Sequence, residues 1–151
     1  MASRSLTDLH PELAYAFGLA EGRWEKQYPF EPKPFLVCTY RSIQEQNALY
    51  NQPFDKKDND GDGKVDEADE KVTNAKGGES PHNYLPALAF DVAFRDLLGK
   101  VDYSPRLFDQ FAKLMPPTIV WGGNFKSMPD KPHFEHIAWK KLAGKPTTPT
   151  K

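Results

Sequence analysis

The stretch SPHNYLPALAFDVAF, residues 80–94, decides how this chain is read. Its second half alternates: Leu88, Phe90, Val92 and Phe94 fall on one face of an extended segment, and Asp91 falls on the other among alanines. Side chains alternate across a strand, so the pattern predicts a half-buried strand with its carboxylate turned away from the apolar side. His82 precedes that carboxylate within the same loop-and-strand unit. A second imidazole, His133, comes from the separate segment DKPHFEH, residues 130–136. Two imidazoles and one carboxylate, with a fourth position left to water, is one way a catalytic zinc is held. A structural zinc more often uses thiolates, and the chain has a single cysteine, Cys38.

Working outward, Leu13, Ala16, Phe17, Ala20 and Trp24 recur at helical spacing after Pro11, which suits a first turn. The run KPFLVCTYR reads as a buried strand. Ser42, with Glu45 three residues later, forms a capping-box signature, so SIQEQNALY reads as a helix. Ser104–Pro105 opens another helix ending near Met115, closed by Pro116–Pro117. TIVWGG and PHFEHIAW read as the last two strands, and GKPTTPTK as a flexible tail over 145–151. Helices and short strands mix without a repeated unit, which predicts an α+β fold, a small antiparallel sheet with helices packed on it. The expected organisation is one domain over 1–144 with an insertion at about 54–72.

Hydrophobic residues make up 38% of the 151, the mean hydropathy is −0.69, and there are 14 prolines, values of a globular domain with many turns. No apolar run approaches the roughly 18 residues of a membrane span, so stable membrane insertion is not expected. MASRSLTDLHPEL lacks the apolar core of a secretory signal, which predicts synthesis in the cytoplasm. Cys38, inside FLVCTY, reads as a buried, inert thiol, because no acid–base partner adjoins it in sequence. Residues 55–70 hold eight acidic and three basic side chains, a local charge of −5 against +4 for the remainder. No motif supports nucleic-acid binding.

Within that acidic stretch, DNDGDGKVDEAD, residues 58–69, fits the spacing of an EF-hand-type calcium loop. Asp58, Asp60 and Asp62 occupy positions 1, 3 and 5, Gly63 supplies the sharp turn, Lys64 offers its carbonyl, and Asp66 fills position 9. Asp69 stands at position 12 in place of the bidentate glutamate, which predicts weak to moderate affinity. The expectation is that calcium orders the insertion and steadies the first zinc-ligand arm.

YRSIQEQNALY, VTNAKGGESPHNYLPALAFDV and WGGNFKSMPDKPHFEH together resemble the successive motifs of the D-Ala-D-Ala carboxypeptidase and L-alanyl-D-glutamate peptidase family. These are zinc enzymes that cut bacterial cell-wall peptides and include phage endolysins. The resemblance spans roughly residues 36–137. It implies His82, Asp91 and His133 as zinc ligands, Asp130 as catalytic base, and Arg41 as the group that binds or polarises substrate. Ser80 is implied at the substrate, or as the cap of the ligand-bearing turn. Glu135 is the rival base, His136 a weak ligand candidate, and His10 a surface residue. Two departures stand out. His82 and Asp91 are nine residues apart rather than the usual seven, with Leu85–Pro86 where a glycine often stands, and Asn124 replaces a frequent aspartate. The implied activity is that of a monomeric endolysin cleaving the L-alanyl-D-glutamate bond of peptidoglycan stem peptides, reaching the wall after holin-mediated release. The alternatives are a D-Ala-D-Ala carboxypeptidase and, outside enzymes, a calcium-dependent wall-binding module.

Overall fold

The computed structural model describes residues 2–54 and 72–144. The calcium-loop positions 58–69 and the tail 145–151 lie outside the described residues. Helix α1 (Pro11–Gln27) starts on Pro11, with His10 as its cap: the His10 Nδ1 accepts from the Glu12 amide. Strand β1 (Lys33–Cys38) leads to helix α2 (Ile43–Tyr50), where both halves of the Ser42/Glu45 capping box are formed. Strands β2 (Ala89–Arg95) and β3 (Val101–Asp102) form a hairpin, followed by helix α3 (Pro105–Ala112), strand β4 (Ile119–Trp121), strand β5 (His133–His136) and helix α4 (Trp139–Leu142). The fold is α+β: one antiparallel sheet in the order β1-β2-β5-β4, with β3 paired to the far end of β2.

The period of two in β2 does what its sequence predicts. Phe90, Val92 and Phe94 are fully buried against the apolar stripe of α1 and against Leu107, Phe108 and Phe111 of α3. Aromatic rings carry much of this contact: Phe17–Phe90 at 5.6 Å, Trp24–Phe94 at 5.2 Å and Phe111–Phe134 at 5.7 Å between centroids, the first and last edge-to-face. Such pairs add roughly 0.5–1.5 kcal/mol each beyond area burial. Phe90 and Phe134 are cross-strand partners stacked on the core face, so their neighbours Asp91 and His133, also partners, must meet on the opposite face. Register in the hydrophobic core thus sets the spacing of polar groups outside it.

Three elements differ from the sequence expectation. The final strand stops at His136 and α4 follows, because the His136 Nδ1 accepts from the Ala138 amide and turns the chain. Helix α3 ends at Ala112, three residues before Met115. Strand β3, two residues long, is too short to show a period. The segment before α1 is also built in: Ser3 exchanges backbone hydrogen bonds with Thr39 and Tyr40, and Asp8 and His10 do so with Ala87. Among the described residues, no helix is long and apolar enough to cross a membrane.

Candidate metal centre

Three donor atoms converge beside the sheet. His82 Nε2 lies 3.2 Å from Asp91 Oδ1 and 3.3 Å from His133 Nδ1, and His133 Nδ1 lies 3.1 Å from Asp91 Oδ1. Zinc bonds of about 2.0–2.1 Å in a tetrahedron put neighbouring donors about 3.3 Å apart, so the three atoms match one face of such a site. The donor set therefore fits zinc.

Hydrogen bonds on the outer nitrogens fix which atoms face inward. The Nδ1 of His82 lies 2.8 Å from the Thr39 carbonyl, which can only accept, so Nδ1 carries the hydrogen and Nε2 is left for a ligand. Likewise the His133 Nε2 donates to the Glu135 carboxylate at 2.8 Å, leaving Nδ1 free. Outer-shell acceptors of this kind orient metal-binding imidazoles and raise their basicity. The turn that holds His82 is closed by its own hydrogen bonds. Ser80 is buried, its Oγ accepts from the His82 amide, and the Asn83 side chain closes the box by accepting from the Gly78 and Ser80 amides. The nine-residue spacing runs through a cis Leu85–Pro86 bond before β2 resumes the sheet.

Cys38 is buried as expected but is not isolated. A bulge between Leu36 and Cys38 brings it opposite Asp91, with Sγ 3.6 Å from His82 Nδ1 and 3.4 Å from Arg41 Nη2. The sequence reading missed these neighbours because they come from the fold. Cys38, His82 and Asp91 thus also sit close enough to share an ion. The tautomer decides between the two sets. Cys38 faces the nitrogen already given to Thr39, whereas His133 faces the free one, so the geometry favours His82, Asp91 and His133 as the atoms that could share an ion.

Without an ion, the two imidazoles compete for Asp91. Burial opposes their charged forms, but the Asp91 charge and hydrogen bonds outweigh it, pushing His82 up to about 10 and His133 up to about 9. Burial also opposes the Asp91 charge, yet the two histidines hold its carboxyl far below the usual range. In the ion-free site one carboxylate is thus shared by two protonated imidazoles, protons that a bound metal ion would displace.

Arg41 stands at the start of the α2 turn with Nη2 3.8 Å from Asp91 Oδ2, and its Nη1 donates to Gln46 Oε1 at 3.0 Å. Gln46, almost fully buried, in turn donates to the Ala75 carbonyl, tying that segment to this wall. Asp130 lines the same cleft. Although exposed at the rim, it has a carboxyl pKa raised by partial burial and then by the nearby Asp91 charge. Its loop is pinned by Gly122, whose carbonyl accepts from the Asp130 amide at 2.8 Å. A Cβ on Gly122 would overlap the Asp130 carbonyl and come within 3.0 Å of the His133 Cβ, so only glycine permits this approach. Met128 in the same loop is left-handed at φ 54°, a sparsely populated conformation for a residue with a side chain. His136 points into the other face, 3.2 Å from Glu12, and does not join the centre. His10 is half-buried at the α1 cap.

The cleft has a volume of about 660 Å³ and is open to solvent, with Phe125, Met128, Trp139 and Lys140 on its outer walls. Thr39, Gln46, Gly122 and Trp139 were not singled out by sequence reasoning, and Lys140 stood out only as one of the lysines gathered near the C-terminus. Only the Gly122–Gly123 doublet gave a local signal.

No protein-family model matches the chain. The peptidoglycan L-alanyl-D-glutamate endopeptidase CwlK of Bacillus subtilis is 33% identical over 106 residues, 65% of this chain and 57% of CwlK, so the chain spans little more than half the length of that relative. Among solved structures, the L-Ala D-Glu endopeptidase ChiX of Serratia marcescens matches with a TM-score of 0.60 at 21% identity, over 95% of this chain and 93% of ChiX. The LD-carboxypeptidase LdcB matches with a TM-score of 0.56 at 18% identity, over 94% of this chain and 67% of LdcB. The chain therefore shares a fold with ChiX and LdcB, and sequence similarity with CwlK.

Proposed function

We propose that this protein is a zinc-dependent peptidase that hydrolyses the L-alanyl-D-glutamate bond of peptidoglycan stem peptides. The observation that carries the reading is the mutual 3.1–3.3 Å spacing of His82 Nε2, Asp91 Oδ1 and His133 Nδ1, each imidazole oriented by an acceptor behind it. The similarity to CwlK supports the choice of bond. A zinc ion bound there supplies a Lewis acid that acidifies water and polarises a carbonyl. Asp130 takes a proton from the water that attacks the alanyl carbonyl, then delivers it to the departing amine as the C–N bond breaks. Its raised pKa brings it nearer the working range of a general base. Arg41 holds Asp91 in place and offers its remaining donors to the oxyanion or to a substrate carboxylate. Ser80 supports the reaction by capping the His82 turn.

Asp130→Asn tests the assignment: zinc content should be retained while hydrolysis falls by about 10²–10⁴. Hydrolysis within a few-fold of the parent protein would remove Asp130 from the mechanism. The 58–69 spacing extends the proposal to calcium, held by Asp58, Asp60, Asp62, Asp66, Asp69 and the Lys64 carbonyl and steadying the wall that Gln46 anchors. Equal hydrolysis by zinc-loaded protein with calcium and with a calcium-selective chelator would exclude a regulatory role.

A further inference from the structure

The proposed substrate carries a negative charge into a cleft that also holds carboxylates. The D-glutamyl residue supplies the scissile nitrogen, and its α-carboxylate sits on the next carbon. Asp130, Asp91 and Glu135 all line the cleft that such a substrate would enter. Unless a cation offsets it, this juxtaposition of like charges weakens binding.

Among the described residues, the cleft is lined by two permanent cations, Arg41 and Lys140. Arg41 is drawn into the wall by Asp91, Gln46 and the Cys38 sulfur. Lys140 has no carboxylate partner within ion-pair distance among the described residues. Its Nζ lies 5.8 Å from the centroid of Trp139. Trp139 packs at 6.1 Å on Tyr84, whose hydroxyl donates to the Gly78 carbonyl beside the His82 turn. Asp130, His133, Glu135 and Lys140 also come from one short segment, so the cation is carried with the base and a ligand.

We propose that Lys140 is the specificity residue that reads the α-carboxylate of the D-glutamyl residue, so that the enzyme prefers stem peptides with a free D-glutamate over those amidated to D-isoglutamine. The assignment rests on the L-alanyl-D-glutamate reading above.

The test compares two synthetic peptides, L-Ala-γ-D-Glu-L-Lys and its D-isoglutamine counterpart, with zinc-loaded protein. The parent should favour the free carboxylate about tenfold in kcat/KM, mainly through KM, the size expected of a partly exposed charged hydrogen bond. Lys140→Met should bring the two peptides within about twofold of each other, and Lys140→Arg should keep the preference. Lys140 is exposed, so neither variant should disturb folding, and bound zinc measured on each checks this. An unchanged preference in Lys140→Met, or no preference in the parent, overturns the assignment while leaving the peptidase reading standing. Failure to cut either peptide overturns both.

Discussion

Loading the site with zinc should expel protons in a number the structure sets. In the ion-free protein, the Asp91 charge and hydrogen bonds outweigh burial and push His82 and His133 well above the ordinary imidazole range, so at pH 7 protons are held on this pair by Asp91. Zinc binds imidazole only in its neutral form. Binding at pH 7 should therefore release between one and two protons, the second held less tightly because two imidazoliums lie 3.3 Å apart at their inner nitrogens. Two histidines of ordinary pKa, about 6.5, would release only about 0.5 proton together at that pH. Calorimetric titration in buffers of different ionisation heat counts the protons, and chelator competition should show affinity rising about 10- to 100-fold per pH unit near neutrality. The stability of the ion-free protein follows the same groups with opposite sign. The raised histidines stabilise fully below about pH 6.5, and that contribution is lost as pH rises through 9 and 10. Asp91, depressed, stabilises above about pH 4 and loses its contribution only as pH falls well below that. The ion-free protein should thus be most stable between about pH 4 and 6.5, whereas added zinc should stabilise more as pH rises. Release of half a proton or less at pH 7 would refute the charged cluster.

Two substitutions probe the supports of the site. Gly122→Ala should cost about 1–3 kcal/mol through overpacking against Asp130 and His133, lowering Tm by about 2–4 °C per kcal/mol and weakening zinc binding; an unchanged Tm and zinc affinity would show that the loop has room. Glu135→Ala should weaken zinc binding about 10- to 100-fold by releasing the His133 ring, while Glu135→Gln, which can still accept from Nε2, should lose less. Abolished hydrolysis in Glu135→Gln with zinc affinity intact would instead make Glu135 the base.

The parts legible in the sequence were those with a period or a local chemical signature. The alternation of β2, the stripe on α1 and the Ser42/Glu45 box each specify their own geometry from neighbours a few residues away. The pairing of Asp91 with His133 was not visible, because it depends on Phe90 meeting Phe134 across two strands. Thr39, a buried residue offering only a backbone carbonyl to His82, leaves no trace in residue type. Cys38 looked inert because the bulge that aims it at His82 is a property of the sheet. Helix α4 is four residues long, too short for a period, so Lys140 was legible only as part of a basic cluster and not as a wall of the cleft beside Trp139.

The central claim is tested most directly by digesting purified peptidoglycan with the zinc-loaded protein and sequencing the released peptides by mass spectrometry. The account predicts new peptides beginning with D-glutamate, with L-alanine left on the glycan, released about 10²–10⁴ times more slowly after Asp130→Asn. Release of free D-alanine without new D-glutamate termini would contradict it and identify a carboxypeptidase instead.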